Sequence, residues 1–279
     1  MRFIRTAGKM REFSHARRLG GETIGFIPTM GALHAGHISL IRQARRDNDT
    51  VVVSIFVNPA QFSPQEDYLR YPRNIKKDAA LCLRESVDVL FCPSVKQMYP
   101  AGYNTYVEVK DLSGVLCGRF RPGHFRGVAT VVAKLLNIIT PDIAYLGRKD
   151  AQQALIIQRM VADLNMPVEI RIMPTLREKE GLAMSSRNAY LSCEERKNAA
   201  VIYQALKSAR GLIKRGERDA QAIINKIRKI ISGKARIQYV SITDDRTLIP
   251  LKRIDGPALV AIAAWVGKTR LIDNITVKR

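Results

Sequence analysis

The sequence is poor in aromatic residues, histidine and cysteine. Only 6% of its 279 residues are aromatic, and the whole chain holds four histidines and four cysteines. No cysteine pair has the Cys-x-x-Cys spacing of a structural zinc site. Four thiols in a chain of this length also do not suggest a disulfide framework. These deficits argue against a small zinc module and against a disulfide-stabilised secreted domain.

Long hydrophobic runs are missing as well. The longest apolar stretches, Val51–Val57 and Ala258–Val266, are far shorter than the roughly 20 residues that a membrane-spanning helix needs. The first residues, Met-Arg-Phe-Ile-Arg-Thr, lack the apolar core of a signal peptide. We therefore expect a cytoplasmic protein without a membrane partner.

Acidic residues are outnumbered by basic ones. The chain has 46 Lys and Arg against 25 Asp and Glu, which gives a net charge of +21. Such a charge favours anionic partners, among them phosphates and nucleic acid. The basic residues form no block of like charges, as a nucleic-acid-binding arm would. We therefore expect no nucleic-acid partner and interpret the charge as a basic solvated surface.

Apolar runs alternate with helical patterns over residues 22–176. This alternation at short intervals is typical of βαβ units and a parallel sheet. The sequence therefore predicts an α/β, Rossmann-like, doubly wound parallel-sheet domain over residues 1–176. The predicted strands are Thr23–Pro28, Val51–Val57, Val87–Cys92, Ile143–Leu146 and Val168–Met173, with a further alternating stretch at Thr105–Val109. The predicted helices are His37–Arg46, Asp78–Glu85, Phe125–Ile139 and Ala151–Leu164.

The pattern changes after Met173. A polar loop over residues 174–188 is followed by helical patterns and then by strand patterns, which is the order of an α+β domain. We predict a smaller C-terminal α+β domain over residues 177–279. Its predicted helices are Cys193–Arg215 and Arg218–Ile231, and its predicted strands are Gln238–Ile242, Ala258–Ala264 and Thr269–Val277.

Two of the four histidines lie together where the first buried strand gives way to a helix. The string from Pro28 to His37 reads Pro-Thr-Met-Gly-Ala-Leu-His-Ala-Gly-His. A helix N-terminus at the carboxyl end of a strand is a phosphate site, because its N–H groups lack partners within the helix. His34 and His37 can each donate to a phosphate oxygen, and a charged imidazole there would offset charge that develops during transfer. The alternatives are two capping or core histidines, or a zinc pair.

Five motifs occur in the order found in one enzyme family. They are Pro28–His37, Phe56–Phe62, Arg121–Gly127, Gly147–Asp150 and Met184–Asn188. Together they resemble the pantothenate synthetases (pantoate–β-alanine ligases) of the nucleotidylyltransferase superfamily. The resemblance implies condensation of (R)-pantoate with β-alanine through a pantoyl adenylate, with ATP and Mg²⁺ required and with AMP and pyrophosphate released. It also implies a homodimer and a C-terminal domain that acts as a lid.

The same resemblance implies site residues. It assigns catalytic roles to His34, His37 and Lys149, and it assigns substrate binding to Asn58, Gln61 and Gln153. The ATP-binding residues that it implies are Met30, Gly31, Ala32, Leu33, His34, Ala35, Gly36, His37, Gly147, Arg148, Lys149, Asp150, Leu176, Met184, Ser185, Ser186 and Arg187.

Some positions carry weaker expectations. Arg121, His124 and Arg126 form a basic segment that could attract a substrate carboxylate. Asp78 is a candidate Mg²⁺ ligand by its approximate position, so the metal ligands stay unassigned. Arg148 departs from the family, which usually has Glu or Gln there, and it adds positive charge beside the predicted ATP residues.

Two other functions stay open from the sequence. A different adenylyl or nucleotidyl transferase of the same superfamily would share His34 and His37 but would not need Gln61 and Gln153. A nucleic-acid-binding module would explain the charge of +21, although it would need clustered basic side chains with aromatic platforms.

Overall fold

The computed structural model describes residues 1–64 and 66–278, and the chain divides into two compact units. The chain passes from the first unit to the second between Pro174 and Thr175. Two short segments from the earlier part of the chain, Val115–Cys117 and Lys149–Gln152, also belong to the second unit. Nothing in the sequence indicates this exchange, because membership of a compact unit depends on tertiary packing.

The first unit is built on a six-stranded parallel sheet. The strands run in the spatial order β1-β4-β3-β2-β5-β6, and every neighbouring pair is parallel. The order reverses between β2 and β5, as in an open doubly wound sheet. The strands are β1 (Arg2–Ile4), β2 (Ile24–Thr29), β3 (Thr50–Ile55), β4 (Val89–Phe91), β5 (Ile143–Gly147) and β6 (Glu169–Met173).

Helices cover the sheet. The central strands are continuously apolar because both of their faces are buried, as residues 51–53 of β3 illustrate with no exposed surface. The last helix before β5 is buried along nearly its whole length and packs on the 3₁₀ turn Pro59–Gln61. The helices are α1 (Ala7–Leu19), α2 (Ala35–Asp47), α3 (Ile75–Arg84), α4 (Val95–Met98), α5 (Cys117–Phe120), α6 (His124–Ile139) and α7 (Ala151–Asp163).

The second unit, over the residues that the structure describes, combines three helices with a three-stranded antiparallel sheet in the order β7-β8-β9. Apolar side chains of α9, α10 and the sheet form its core. The helices are α8 (Cys193–Ala199), α9 (Val201–Lys214) and α10 (Ala220–Ile231), and the strands are β7 (Arg236–Asp244), β8 (Ala258–Val266) and β9 (Thr269–Val277). The predicted fold class, a doubly wound parallel sheet with a smaller α+β domain, is confirmed.

Three local predictions were wrong or incomplete. The alternating stretch Thr105–Val109 forms no strand, because the Val107 N–H bonds to the Thr130 hydroxyl of α6 rather than to a neighbouring strand. The predicted helix Cys193–Arg215 is interrupted at Ala200. The sequence analysis also predicted neither β1 nor α1. Strand β1 has only three residues and lies at the edge of the sheet. Among residues 1–64 and 66–278, no helix is long and apolar enough to cross a membrane.

Candidate active site

The turn after β2 is held by a buried carboxylate. Gly31 and Ala32 both adopt positive φ angles, of 84° and 51°. Asp78 of α3 is 2% exposed, and its two oxygens accept the N–H groups of Ala32 and Leu33, each at 2.9 Å. A Cβ atom at Gly31 would lie 3.0 Å from Asp78 Oδ2 and 3.0 Å from a methyl group of Ile55. Position 31 therefore requires glycine for both its conformation and its close packing.

The two histidines form a capping box at the start of α2. His34 is the N-cap residue, and its Nδ1 accepts the Gly36 N–H at 3.1 Å. The His34 N–H in turn donates to His37 Nδ1 at 3.3 Å, and the two ring centroids are 4.1 Å apart. Because each Nδ1 accepts a hydrogen bond, each ring carries its proton on Nε2. In this geometry both rings are neutral Nε2–H donors.

The location of this capping box suits an anion. Strand β2 lies between β3 and β5, where the strand order reverses, and α2 begins just beyond its carboxyl end. Ligands of open α/β sheets bind at this point, and the N–H groups of a helix N-terminus favour negative charge. The first turn of α2 contains no acidic residue that would oppose an anion.

Asn58 is buried at the end of β3 and holds its neighbours. Its Oδ1 accepts the Ala60 N–H at 3.2 Å and the Tyr99 hydroxyl at 2.8 Å. Its Nδ2 donates to Gln61 Oε1 at 3.0 Å and to the Gly127 carbonyl at 3.1 Å. The amide thus uses its two donor and two acceptor positions on protein groups, and the residue is only 1% exposed. The expectation that Asn58 contacts substrate is corrected, since the residue holds Gln61 in place.

The basic segment at the start of α6 holds the backbone of Gln61. Arg121 forms an ion pair with Glu66, with Nε to Oε1 at 2.7 Å, and its Nη1 lies 2.9 Å from His124 Nε2. A guanidinium can only donate, so Nε2 accepts and the His124 Nδ1–H donates to the Gln61 carbonyl at 2.7 Å. The expectation that this segment attracts a substrate carboxylate is therefore wrong for Arg121 and His124, because both bind protein groups.

The same segment packs closely on the turn that carries Gln61. A Cβ atom at Gly127 would overlap the Ala60 carbonyl oxygen, so α6 approaches this turn with glycine at the contact. Arg126 lies with its guanidinium 4.9 Å from the ring centroid of Tyr106. The Arg121–Gly127 motif thus supports Gln61 structurally, a role that the spacing of its residues did not reveal.

Lys149 and its neighbours follow β5. Gly147 ends the strand, and Arg148, Lys149 and Asp150 form a 3₁₀ turn before α7. The Lys149 Nζ lies 3.3 Å from Asp150 Oδ1, and the Lys149 carbonyl accepts the side-chain N–H of Asn274 at 2.8 Å. Gly147 and the exposed Arg148 belong to the first unit, whereas Lys149 and Asp150 belong to the second. Gln153 lies half-buried in the first turn of α7, within the first unit.

The segment from Leu176 to Arg187 folds back on itself within the second unit. The Met184 N–H donates to the Leu176 carbonyl at 3.0 Å, which brings two predicted ATP-binding positions together. Ser185 caps the 3₁₀ turn Ser186–Tyr190, with its hydroxyl accepting the Arg187 N–H at 3.3 Å. The Leu176 side chain is 41% exposed. The segment therefore contains hydroxyl, guanidinium and backbone groups of the kind that bind phosphate and base.

A buried ion pair on β9 supports this segment. Arg177 Nη1 and Nη2 donate to the two carboxylate oxygens of Asp273, at 2.6 and 3.0 Å, and Asp273 is 4% exposed. Burial raises the pKa of Asp273, although the Arg177 guanidinium opposes the shift. Arg177 also lies 3.7 Å from the Tyr203 ring centroid. The next residue of the strand, Asn274, is the one that bonds to Lys149.

Asp78, Asp273 and Asn274 were not recognised as supports from the sequence. The only signal for the last two was an Asp-Asn pair inside the otherwise strand-forming run of β9. Asp78 was expected as a possible Mg²⁺ ligand; in the structure both of its oxygens accept backbone N–H groups and the residue is 2% exposed. Within the part of the chain that the structure describes, no group of three or more His, Cys, Asp and Glu side chains could hold a metal ion.

Comparison with known proteins places these features in one family. The family model for pantoate-beta-alanine ligase matches residues 2–276. The chain is 56% identical to a pantothenate synthetase of Thermotoga neapolitana, over 98% of this chain and 99% of that protein. It is 53% identical to a pantothenate synthetase of Moorella thermoacetica, over 100% of this chain and 99% of that protein.

Solved structures agree with the sequence relatives. Pantothenate synthetase from Thermus thermophilus superposes with a TM-score of 0.93 at 45% identity, and 99% of each chain is covered. A pantoate-beta-alanine ligase from Francisella tularensis, in complex with beta-gamma ATP and beta-alanine, gives a TM-score of 0.80 at 38% identity over 99% of this chain and 97% of that one. The chain therefore belongs to the pantoate-beta-alanine ligase family.

Proposed function

We propose that this protein condenses (R)-pantoate with β-alanine in two steps. ATP first activates the pantoate carboxylate as an acyl adenylate and releases pyrophosphate. The amine of β-alanine then attacks the acyl carbon, which gives pantothenate and AMP. Membership of the pantoate-beta-alanine ligase family supports this reaction, and so does the ATP and β-alanine complex of the Francisella tularensis relative.

The observation that carries the proposal for this chain is the histidine capping box. His34 and His37 are locked as neutral Nε2–H donors at the N-terminus of a 13-residue helix. Their imidazoles are held by the backbone before any ligand binds. Donors that need no reorganisation stabilise the charge that develops during phosphoryl-type transfer better than mobile ones. We infer that the two rings bind ATP phosphates through Nε2–H, since the N–H groups of Ala32, Leu33, His34 and Gly36 already donate within the turn.

Other residues have distinct proposed roles. Lys149 supplies a point charge for the phosphates, and Asp150 binds the ribose. Leu176 offers backbone groups to the adenine, and Met184, Ser185, Ser186 and Arg187 bind phosphate. Gln61 and Gln153 bind pantoate, because an amide can both donate to and accept from a hydroxyl. A lid role for the C-terminal domain and a homodimer stay predictions from the resemblance, and a cytoplasmic location stays a prediction from the sequence.

Mg²⁺ is expected to accompany ATP. This ion typically keeps several waters and binds phosphate oxygens, with few protein ligands. The described residues contain no ready-made cluster for it, and the Asp78 carboxylate is already bound to backbone N–H groups. We therefore assign the ion to the phosphates and base no step of the reaction on a protein-bound metal.

The test is the first step run alone. Labelled pyrophosphate should exchange into ATP when enzyme, Mg²⁺ and pantoate are present, and β-alanine should not be needed. Lys149→Ala should abolish this exchange, whereas Lys179→Ala, at an exposed lysine of the same unit, should not. Gln153→Ala should raise the pantoate requirement more than the ATP requirement.

Substitution of the histidines provides a second test of the proposed function. His37→Ala should lower turnover about 10²- to 10³-fold, the typical loss for one transition-state donor. His15→Ala, at an exposed histidine of α1, is the matched control. Exchange that strictly requires β-alanine would contradict the two-step reaction. Exchange that unrelated carboxylates support equally well would favour another adenylyl transferase of the superfamily.

A further inference from the structure

Tyr99 belongs to none of the five motifs, yet its hydroxyl reaches the residues that hold Gln61. It follows α4, and its N–H donates to the Val95 carbonyl at 2.7 Å. Its hydroxyl lies 2.8 Å from Asn58 Oδ1. The tyrosine is therefore anchored at its backbone by a helix end and at its hydroxyl by a buried amide.

Two backbone groups fix which way the Asn58 amide points. The Ala60 N–H can only donate, so the atom that faces it at 3.2 Å must be Oδ1. The Gly127 carbonyl can only accept, so the atom that faces it at 3.1 Å must be Nδ2. The Tyr99 hydroxyl, which faces Oδ1, must then donate its proton.

The direction of the chain of hydrogen bonds continues into Gln61. The second Nδ2–H of Asn58 faces the Gln61 side chain at 3.0 Å, so the atom there is Oε1. The other end of the Gln61 amide is then Nε2, which lies 3.1 Å from the sulfur of Met30 in the turn after β2. A thioether is a weak acceptor, so a ligand oxygen would be a better partner for these N–H groups.

The surroundings keep the Tyr99 hydroxyl protonated and in place. Burial raises the pKa of Tyr99 well above its usual value. Its ring packs against the rings of Phe56 and Tyr103, with centroids 6.3 and 5.0 Å away. The ammonium of Lys134 lies 4.4 Å from the Tyr103 ring centroid and 5.9 Å from that of Tyr99. Tyr99 thus donates to Asn58 throughout the physiological pH range.

We propose that Tyr99, acting through Asn58, is a positioning residue that orients the Gln61 amide so that its Nε2–H groups donate to pantoate. This inference rests on the proposed function, in which Gln61 binds pantoate. It assigns the acceptor role in this contact to an oxygen of the substrate, because the Oε1 end of the amide is already occupied by Asn58.

Tyr99→Phe tests the proposal in the full chain, because it removes the hydroxyl and keeps the ring. The dissociation constant for pantoate, measured by calorimetry, and the pantoate KM should both rise about 3- to 10-fold, the range expected for one lost hydrogen bond. The ATP KM should stay within about twofold of the wild-type value, since the hydroxyl supports only the pantoate amide. Tyr103→Phe is the matched control, since Tyr103 lies in the same aromatic stack and the hydroxyl that Asn58 accepts comes from Tyr99. It should leave both constants unchanged.

A double-mutant cycle separates positioning from general stabilisation. In a Gln61→Ala background, Tyr99→Phe should change pantoate binding by less than about twofold, since the residue through which it acts is gone. Wild-type pantoate affinity in Tyr99→Phe would overturn the proposal, and so would an equal loss for ATP or a full effect that persists in Gln61→Ala. Unchanged pantoate binding in Gln61→Ala itself would also overturn it. A wild-type protein without pantoate-dependent turnover would instead contradict the proposed function, so the two failures are distinguishable.

Discussion

The turn after β2 and the segment from Leu176 to Arg187 are both supported by a buried aspartate, but the two carboxylates bind different groups. Asp78 accepts two consecutive backbone N–H groups, those of Ala32 and Leu33. The two carboxylate oxygens of Asp273 accept hydrogen bonds from the guanidinium of Arg177. The first arrangement fixes the main chain beside His34 directly. The second fixes one side chain, at the residue that follows Leu176.

This difference determines what each region can do. The Asp78 side chain of α3 binds two backbone N–H groups of the turn and so restricts its conformation. This suits donors that must be in place before the reaction. The segment in the second unit is anchored at Arg177 and closed by the Met184–Leu176 backbone bond, yet Leu176 stays 41% exposed. The ion pair of Asp273 with Arg177 anchors one side chain of its segment, whereas the hydrogen bonds from backbone N–H groups to Asp78 also fix the main-chain conformation of the turn.

The largest effect on stability is expected from Asp273→Asn. The substitution leaves the Arg177 guanidinium buried without its counter-charge, and breaking a buried pair in this way costs about 3–5 kcal/mol. Urea unfolding should measure the loss. Because an asparagine oxygen can still accept one hydrogen bond, we expect the lower end of this range. Asp255→Asn is the control, since the Arg253–Asp255 pair is 69% and 67% exposed and should contribute little.

A double variant completes this test. Replacing Arg177 by Met in the Asp273→Asn protein removes the uncompensated cation and should recover much of the lost stability. Pyrophosphate exchange, measured well below the unfolding transition, should be reduced less in Asp273→Asn than in Asp78→Asn. A free energy of unfolding of Asp273→Asn equal to that of wild type would show that the Arg177–Asp273 pair does not support the segment.

The next effect, on activity as well as stability, is expected from Asp78→Asn. The amide can accept only one of the two N–H groups and presents its own NH₂ to the other, so we expect a loss of about 1–3 kcal/mol. Because the turn leads directly into His34, turnover should fall by more than the stability loss alone explains. Steady-state AMP release and urea unfolding measured on the same sample check this, with Asp163→Asn of the exposed Arg159–Asp163 pair as the control. Full turnover in a destabilised protein would remove the distinction between the two supports.

The smallest effect is expected at Asp47, a partly exposed carboxylate at the end of α2. Burial would raise the pKa of Asp47, but hydrogen bonds from Gln43, Tyr145 and Arg171 outweigh it and hold the pKa below the usual 3.8. A lowered pKa stabilises the fold above the unfolded value and loses this contribution as pH falls through the folded value. The advantage of wild type over Asp47→Asn should therefore stay below about 1 kcal/mol at neutral pH and shrink below about pH 4.

Urea unfolding at a series of pH values between neutral and about pH 3 measures this difference. Asp163→Asn serves again as the exposed control of the same unit. A wild-type advantage that grows as the pH falls would have the wrong sign and would contradict the assignment. The result would also sharpen the comparison above, because it shows how little a carboxylate contributes when it is not buried.

Much of the fold could be predicted from local pattern. The continuously apolar run of β3 and the apolar face of α6 identify buried elements, since burial on both faces leaves no room for polar side chains. The string Pro28–His37 likewise predicted a helix start after a strand, because it lies between an apolar run and a helical pattern. Short elements such as β1 were missed, since three residues at a sheet edge carry too little periodicity.

The sequence by itself thus determined the parallel sheet and the smaller α+β domain, because these depend on local periodicity, while the candidate site residues follow from the resemblance of contiguous motifs and stay predictions. Only the tertiary structure decided that Asp78 clamps a turn 46 residues away, that Asp273 pairs with Arg177, and that Tyr99 reaches Asn58. It also decided the neutral state of His34 and His37, since a tautomer depends on which groups face each ring nitrogen. Contacts between residues that are far apart in the chain produce no periodic pattern and no fixed spacing in the sequence, so they can be identified only from the folded structure.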